Sequence, residues 1–175
     1  VAPEVDGELG LAHCVLPSAL DAALAATPGA AAAIVVSPTY YGAAADVAGL
    51  ARVAHARGVA LVVDEAWGAH LAFCDALPQH ALAAGADLVI SSTHKLGGSL
   101  TQSAMLHLGG SEGGLLDEYV VDRAVTLVES TSPSSLLTGS LDAARRHAAV
   151  HGREHLDETL KALVEVRRQI RELPG

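Results

Sequence analysis

The sequence predicts an α/β fold: a three-layer αβα sandwich with a mostly parallel sheet and a helical C-terminal tail. Three observations carry that expectation. Short apolar runs rich in β-branched residues recur at 31–37, 59–64 and 86–91, as in strands buried on both faces. Segments of helical character separate them, and such alternation implies right-handed crossovers with helices on both sides of the sheet. From about residue 113 the chain reads as helix alone.

Taken in order, PSALDAALAAT (17–27) is a helix with Pro17 in its first turn, and Pro28-Gly29 stops it. AAAIVVS (31–37) is the first strand. PTYYGAAAD (38–46) is a loop whose last residue, Asp46, is a good N-cap for VAGLARVAHAR (47–57), which Gly58 ends. VALVVD (59–64) is the second strand, PQHALAAG (78–85) a short helix, ADLVIS (86–91) the third strand and SAMLHLG (103–109) a fourth. Helices are then expected over 113–130 and from Pro133 to Leu173, the last ending at Pro174-Gly175.

Composition bounds the function. The chain has 175 residues, about one domain, and half of it is apolar with only 3% aromatic, so Ala, Val and Leu must build the core. A formal charge of −9 argues against a nucleic-acid partner, because phosphate binding needs a basic face. No apolar run reaches the length of a membrane span, and VAPEVDGELG lacks the layout of a signal peptide. Cys14 and Cys74 lie far apart with no C-x-x-C spacing, as expected of reduced, buried thiols in the cytoplasm. The absence of an initiator Met suggests a piece of a longer chain.

Two residues stand out at strand tips. Asp64 closes the run VALVVD, putting a carboxylate at the carboxyl end of a buried strand. It is either the cap of a following turn or an anion awaiting a cationic ligand. Lys95, in SSTHKLGGSL, follows the next strand, and ligands of open α/β sheets bind beyond the strands' carboxyl ends. Adjacent strands lie about 4.8 Å apart, so the two tips can flank one small molecule. A lysine can take an aldehyde while a carboxylate keeps a pyridine nitrogen protonated.

SPTYYG (37–42), DEAWGAH (64–70), GADLVISSTHK (85–95) and SLTQSAMLH (99–107) together resemble the major domain of the Orn/Lys/Arg decarboxylases. Those are pyridoxal-phosphate enzymes of the aspartate-aminotransferase fold (fold type I). The resemblance extends over nearly the whole chain, including TSPSSLLTGSLDAARR. It implies pyridoxal 5'-phosphate as cofactor, with Lys95 bound to its aldehyde and Asp64 paired with its ring nitrogen. It further implies that Ala66 packs on one ring face, that Trp67 lies near the phenolic oxygen, and that Ser92 and His94 contact the phosphate and the lysine's surroundings. Ser130 is expected to reach the phosphate of a neighbouring subunit.

The implied reaction is decarboxylation of lysine, ornithine or arginine by a homodimer or larger homo-oligomer. Residues 1–175 would be a partial cofactor-binding domain, with 134–175 leading to a small domain beyond the chain. The phosphate loop and an aromatic residue stacking on the other ring face would lie before Val1. Another fold-type I reaction, such as transamination, and a non-catalytic remnant of the scaffold are the alternatives. Tyr40 and Tyr41 are read as loop residues. His147, His151 and His155, at i, i+4 and i+8, are read as a solvated helix face rather than a metal site, with Gly152 loosening the helix.

Overall fold

A computed structural model describes residues 1–110 and 114–173. Its elements are α1 (Pro17–Ala26), β1 (Ala32–Val36), α2 (Val47–His55), β2 (Ala60–Asp64), β3 (Leu88–Ser91), α3 (Thr93–Leu96), β4 (Met105–Leu108), α4 (Glu118–Val128) and α5 (Ser135–Arg171). A 3-10 turn at Leu71–Phe73 lies between β2 and β3. The strands form one sheet in the order β1-β2-β3-β4, the first two pairings parallel and β3–β4 antiparallel. The mostly parallel α/β sheet and the helical tail are thus as expected.

Local chemistry sets the boundaries. Asp46 caps α2 by accepting the Gly49 N–H at 2.8 Å. Gly58, at φ +66°, closes the same helix, with Gly58 N–H donating to His55 O and Val59 N–H to Ala54 O. That left-handed residue satisfies the last carbonyls and turns the chain directly into β2. Asp117 caps α4 through the Val120 N–H, and Ser134 caps α5 through the Leu137 N–H. The expected helix start at Gly113 and the end at Pro174-Gly175 lie outside the described residues.

The core occupies one side of the sheet. Leu20 and Leu24 of α1 and Leu50, Ala51 and Ala54 of α2 pack on Ala33, Val35, Leu61, Val63 and Val89. Leu50 and Leu61 are fully buried, each contributing about 1.5–3 kcal/mol of transfer free energy. The other side is different. Val36, Asp64, Ile90 and Leu106 lie in one cross-strand row, and Ile34, Val36 and Leu106 are 74%, 49% and 43% exposed. Among the described residues, helices therefore pack on one face of this sheet, while the face carrying Asp64 buries Ala60 and Val62 of β2 but leaves the flanking strands exposed.

The 78–85 segment corrects an expectation. It is a run of turns, with His80 O accepting the Ala84 N–H and Leu82 O the Gly85 N–H. Eight residues barely nucleate a helix, and two side-chain acceptors compete for the backbone: Glu65 takes the Ala81 N–H and His80 Nδ1 the Leu82 N–H. Gly152 is also read differently in three dimensions. It is buried in α5, and a Cβ there would lie 3.0 Å from the Phe73 Cβ, so its role is close approach of α5 to the 3-10 turn. The imidazoles of His147, His151 and His155 are exposed on that helix, their ring centroids 5.2–5.9 Å apart. Cys14 and Cys74 are free and buried, and burial pushes the Cys14 thiol pKa up.

Candidate functional site

Asp64 is the last residue of β2, and its neighbour across the ladder is Ile90, just before β3 ends. Its Oδ1 accepts the Ala66 N–H at 3.0 Å, so the carboxylate does cap a turn. That bond uses one oxygen and leaves Oδ2 for another donor. Both readings of Asp64 are therefore compatible in one geometry.

Lys95 lies within α3, a single helical turn starting two residues after β3, where a loop was expected. Its side chain is exposed, and Nζ sits 4.4 Å from the centroid of the Trp67 ring. A cation over an indole at an exposed site is worth about 0.5–1 kcal/mol. Tyr40 packs edge-on to Trp67, with centroids 5.4 Å apart, and Tyr41 packs edge-on to Tyr40. Tyr40, Trp67, His70 and Leu96 line a cavity of about 190 Å³ beside the strand tips. Tyr40, read from sequence as a plain loop residue, thus belongs to the wall of the site. Its available signal was position, since SPTYYG directly follows β1.

His94 faces the loop that follows. Its Nδ1 lies 2.8 Å from Ser103 O, and its backbone N–H donates to the same carbonyl at 3.3 Å. A carbonyl only accepts, so Nδ1 is assigned a proton. The loop is tied down further: Ser103 Oγ donates to Leu100 O, and Ser140 of α5 accepts the Leu100 N–H. Gln102, at φ +69°, takes the left-handed turn between these anchors. Ser92 is the half-buried N-cap residue of α3, and its hydroxyl makes no capping bond. Ser130 is exposed in the turn after α4, its Oγ accepting the Ser132 N–H. The geometry brings Lys95 against Trp67 and sets Ala66 on Asp64, while Ser130 lines neither cavity bordering α3.

Behind α3 lies a second cavity of about 300 Å³, lined by Ser91, Thr93, Gly97, His70, His107 and residues of α5. Burial holds the pKa values of His70 and His107 below the usual 6.5; the nearby His80 further lowers that of His107, and Glu65 partly offsets both. Folding therefore favours the neutral imidazoles. Stability from this source is fully present above pH 6.5 and is lost as pH falls below it, because the unfolded chain takes up protons first. The thermal midpoint should fall between pH 7 and pH 5, and His107→Gln should flatten that slope. An unchanged slope in the variant would remove His107 from the account.

The donor set suits pyridoxal phosphate: an accessible primary amine at Lys95, a carboxylate oxygen free at Asp64, and an unengaged hydroxyl at Ser92. Comparison with known proteins identifies the family. The family described as Orn/Lys/Arg decarboxylase, major domain, matches residues 3–174. The arginine decarboxylases of Halalkalibacterium halodurans and Bacillus subtilis are each 41% identical over 175 residues, covering all of this chain but 35% of their own length. The chain thus spans about a third of the curated relatives it matches. Among solved structures, mouse CSAD superposes with a TM-score of 0.68 at 20% identity, covering 99% of this chain and 39% of that one. CalE6, a methionine gamma lyase from Micromonospora echinospora, gives 0.54 at 25% identity, covering 74% of this chain and 34% of that one. With its motifs in order and the family matched along almost all its length, the chain belongs to the Orn/Lys/Arg decarboxylase family, as part of the major domain.

Proposed function

We propose that this chain is the cofactor-binding part of a pyridoxal-phosphate-dependent decarboxylase that converts a basic amino acid to its amine and carbon dioxide. The relatives named arginine decarboxylase favour arginine as substrate and agmatine as product. The observation that carries the reading is the placement of Lys95 Nζ over Trp67, beyond the tip of β3 and one strand from the free oxygen of Asp64.

In this reading each residue has one task. Lys95 would hold the cofactor through its exposed amine. Asp64 would keep a proton on the ring nitrogen with its free oxygen, while Oδ1 stays on the Ala66 N–H. Ala66 and Trp67 border the ring, and Tyr40 steadies the indole. His94 is oriented by its Nδ1–H on the Ser103 carbonyl, which turns Nε2 away from that loop. Ser92 offers its hydroxyl to the phosphate, and Ser130, exposed, is available to that of a second subunit in a homodimer. When bound, pyridoxal phosphate supplies the electron-accepting ring that makes loss of the carboxylate feasible.

The test is product identification. The full-length protein, loaded with pyridoxal phosphate, is incubated separately with arginine, lysine and ornithine. Agmatine and carbon dioxide from arginine are the expected products. A keto acid, or no reaction with any of the three, would overturn the proposal.

A further inference from the structure

Asp64 is followed by a second carboxylate, Glu65, that the proposed mechanism does not use. Glu65 is 1% exposed, the one charged side chain in the buried core among the described residues. Its backbone N–H donates to Ile90 O at 2.8 Å, so the strand alternation continues one residue past β2. Asp64 therefore faces the open side and Glu65 the core. An ionised carboxylate there needs donors, and the fold brings them from the far end of the following loop. Glu65 Oε1 accepts the Ala81 N–H at 2.9 Å, and His80 Nε2 lies 2.9 Å from Oε2, without the alignment of an ideal hydrogen bond. Because His80 Nδ1 accepts the Leu82 N–H at 3.2 Å, the imidazole proton is on Nε2, facing Glu65.

The near end of the loop is fixed by the same residue. Glu65 O accepts the Gly68 N–H at 2.8 Å. A Cβ at Gly68 would come within 2.3 Å of Glu65 Cγ and 2.9 Å of Leu71 Cδ1. Only glycine lets the chain cross the Glu65 stem there, and Trp67 is pinned between the two residues. One residue thus anchors both ends of the 66–81 loop, its backbone carbonyl holding Gly68 and its carboxylate holding Ala81, and that loop presents Ala66 and Trp67 to the lysine.

We propose that Glu65 is a positioning residue: its carboxylate clamps Ala81 and His80 and thereby fixes Trp67 beneath Lys95. The proposal rests on the reading of the site given above. It requires a carboxylate specifically. The Ala81 N–H donates to Oε1 and the His80 Nε2–H faces Oε2 at ion-pair distance, whereas an amide offers one acceptor and one donor. A glutamine must set its NH₂ group against either the Ala81 N–H or the His80 Nε2–H. Turning the His80 tautomer to relieve this would oppose its Nδ1–H to the Leu82 N–H.

The test uses the full-length protein and its Glu65→Gln, His80→Ala and double variants. Amide hydrogen exchange reads the clamp directly, and titration with pyridoxal phosphate, followed by the visible absorbance of the bound cofactor, reads the site. Glu65→Gln should keep the global fold but raise exchange at Ala81 at least about tenfold and weaken cofactor binding at least about tenfold, with a shifted absorbance maximum. Adding His80→Ala should recover part of both losses, because the glutamine oxygen can then accept the Ala81 N–H unopposed. Wild-type exchange at Ala81 in Glu65→Gln, or losses that simply multiply in the double variant, would overturn the clamp. Faster exchange with unchanged cofactor affinity and spectrum would overturn the positioning role. If wild type itself binds no cofactor, the proposed function fails and with it the link from Glu65 to the site, while the exchange data alone decide whether the clamp exists.

Discussion

Lys95→Ala in the full-length protein should abolish amine production, a fall on the order of a thousandfold or more, and should remove the visible absorbance of lysine-bound pyridoxal phosphate. The size follows from the role: with no amine on this side chain there is no covalent attachment and no group to exchange with the substrate. The fold should not be at risk. Lys95 is exposed, and its amine sits over the indole of Trp67, so the stability change should stay within about 1 kcal/mol. A combined measurement of melting temperature, absorbance and product formation separates loss of chemistry from loss of structure. A variant that keeps turnover would show that Lys95 is an ordinary loop lysine.

Asp64→Asn should cut turnover by about a hundredfold or more while leaving the fold intact. The hydrogen bond explains why the two effects separate. Oδ1 accepts the Ala66 N–H, and an asparagine oxygen can accept the same bond, so the turn after β2 survives. What is lost is the negative charge on the second oxygen. Removing one preorganised electrostatic partner from an active site costs on the order of 10² to 10³ in rate. Near-normal turnover would leave Asp64 as a turn cap only.

The two residues on which these predictions rest stood out in the sequence because Asp64 ends one apolar run and Lys95 lies four residues beyond another. A polar residue at such a tip has to be either a cap or a ligand; the structure shows Asp64 capping the turn through one oxygen and leaves the other to the proposed role. Glu65 was less legible. Of the two acids in DEAWGAH only Asp64 stood out, although a period of two already requires that one of them face the core. The turns at 78–85 were misread as helix because alanine-rich composition favours helix locally. The groups that capture this backbone, Glu65 and His80, lie across the loop, and single-segment propensity cannot register them. Gly152 illustrates the same limit: a helix-loosening residue in sequence is, in space, the point where α5 meets Phe73. The open sheet face was equally hidden, since Ile34 and Val36 read as buried until their neighbours were known.

The account's central claim is that Lys95 is the residue to which pyridoxal phosphate attaches. Borohydride reduction of the cofactor-loaded, full-length protein, followed by proteolysis and mass mapping, tests it most directly. The pyridoxyl mass is predicted on the peptide containing STHK, at Lys95. Its appearance instead on Lys161, the other lysine of this chain, or on any lysine outside it, would contradict the account.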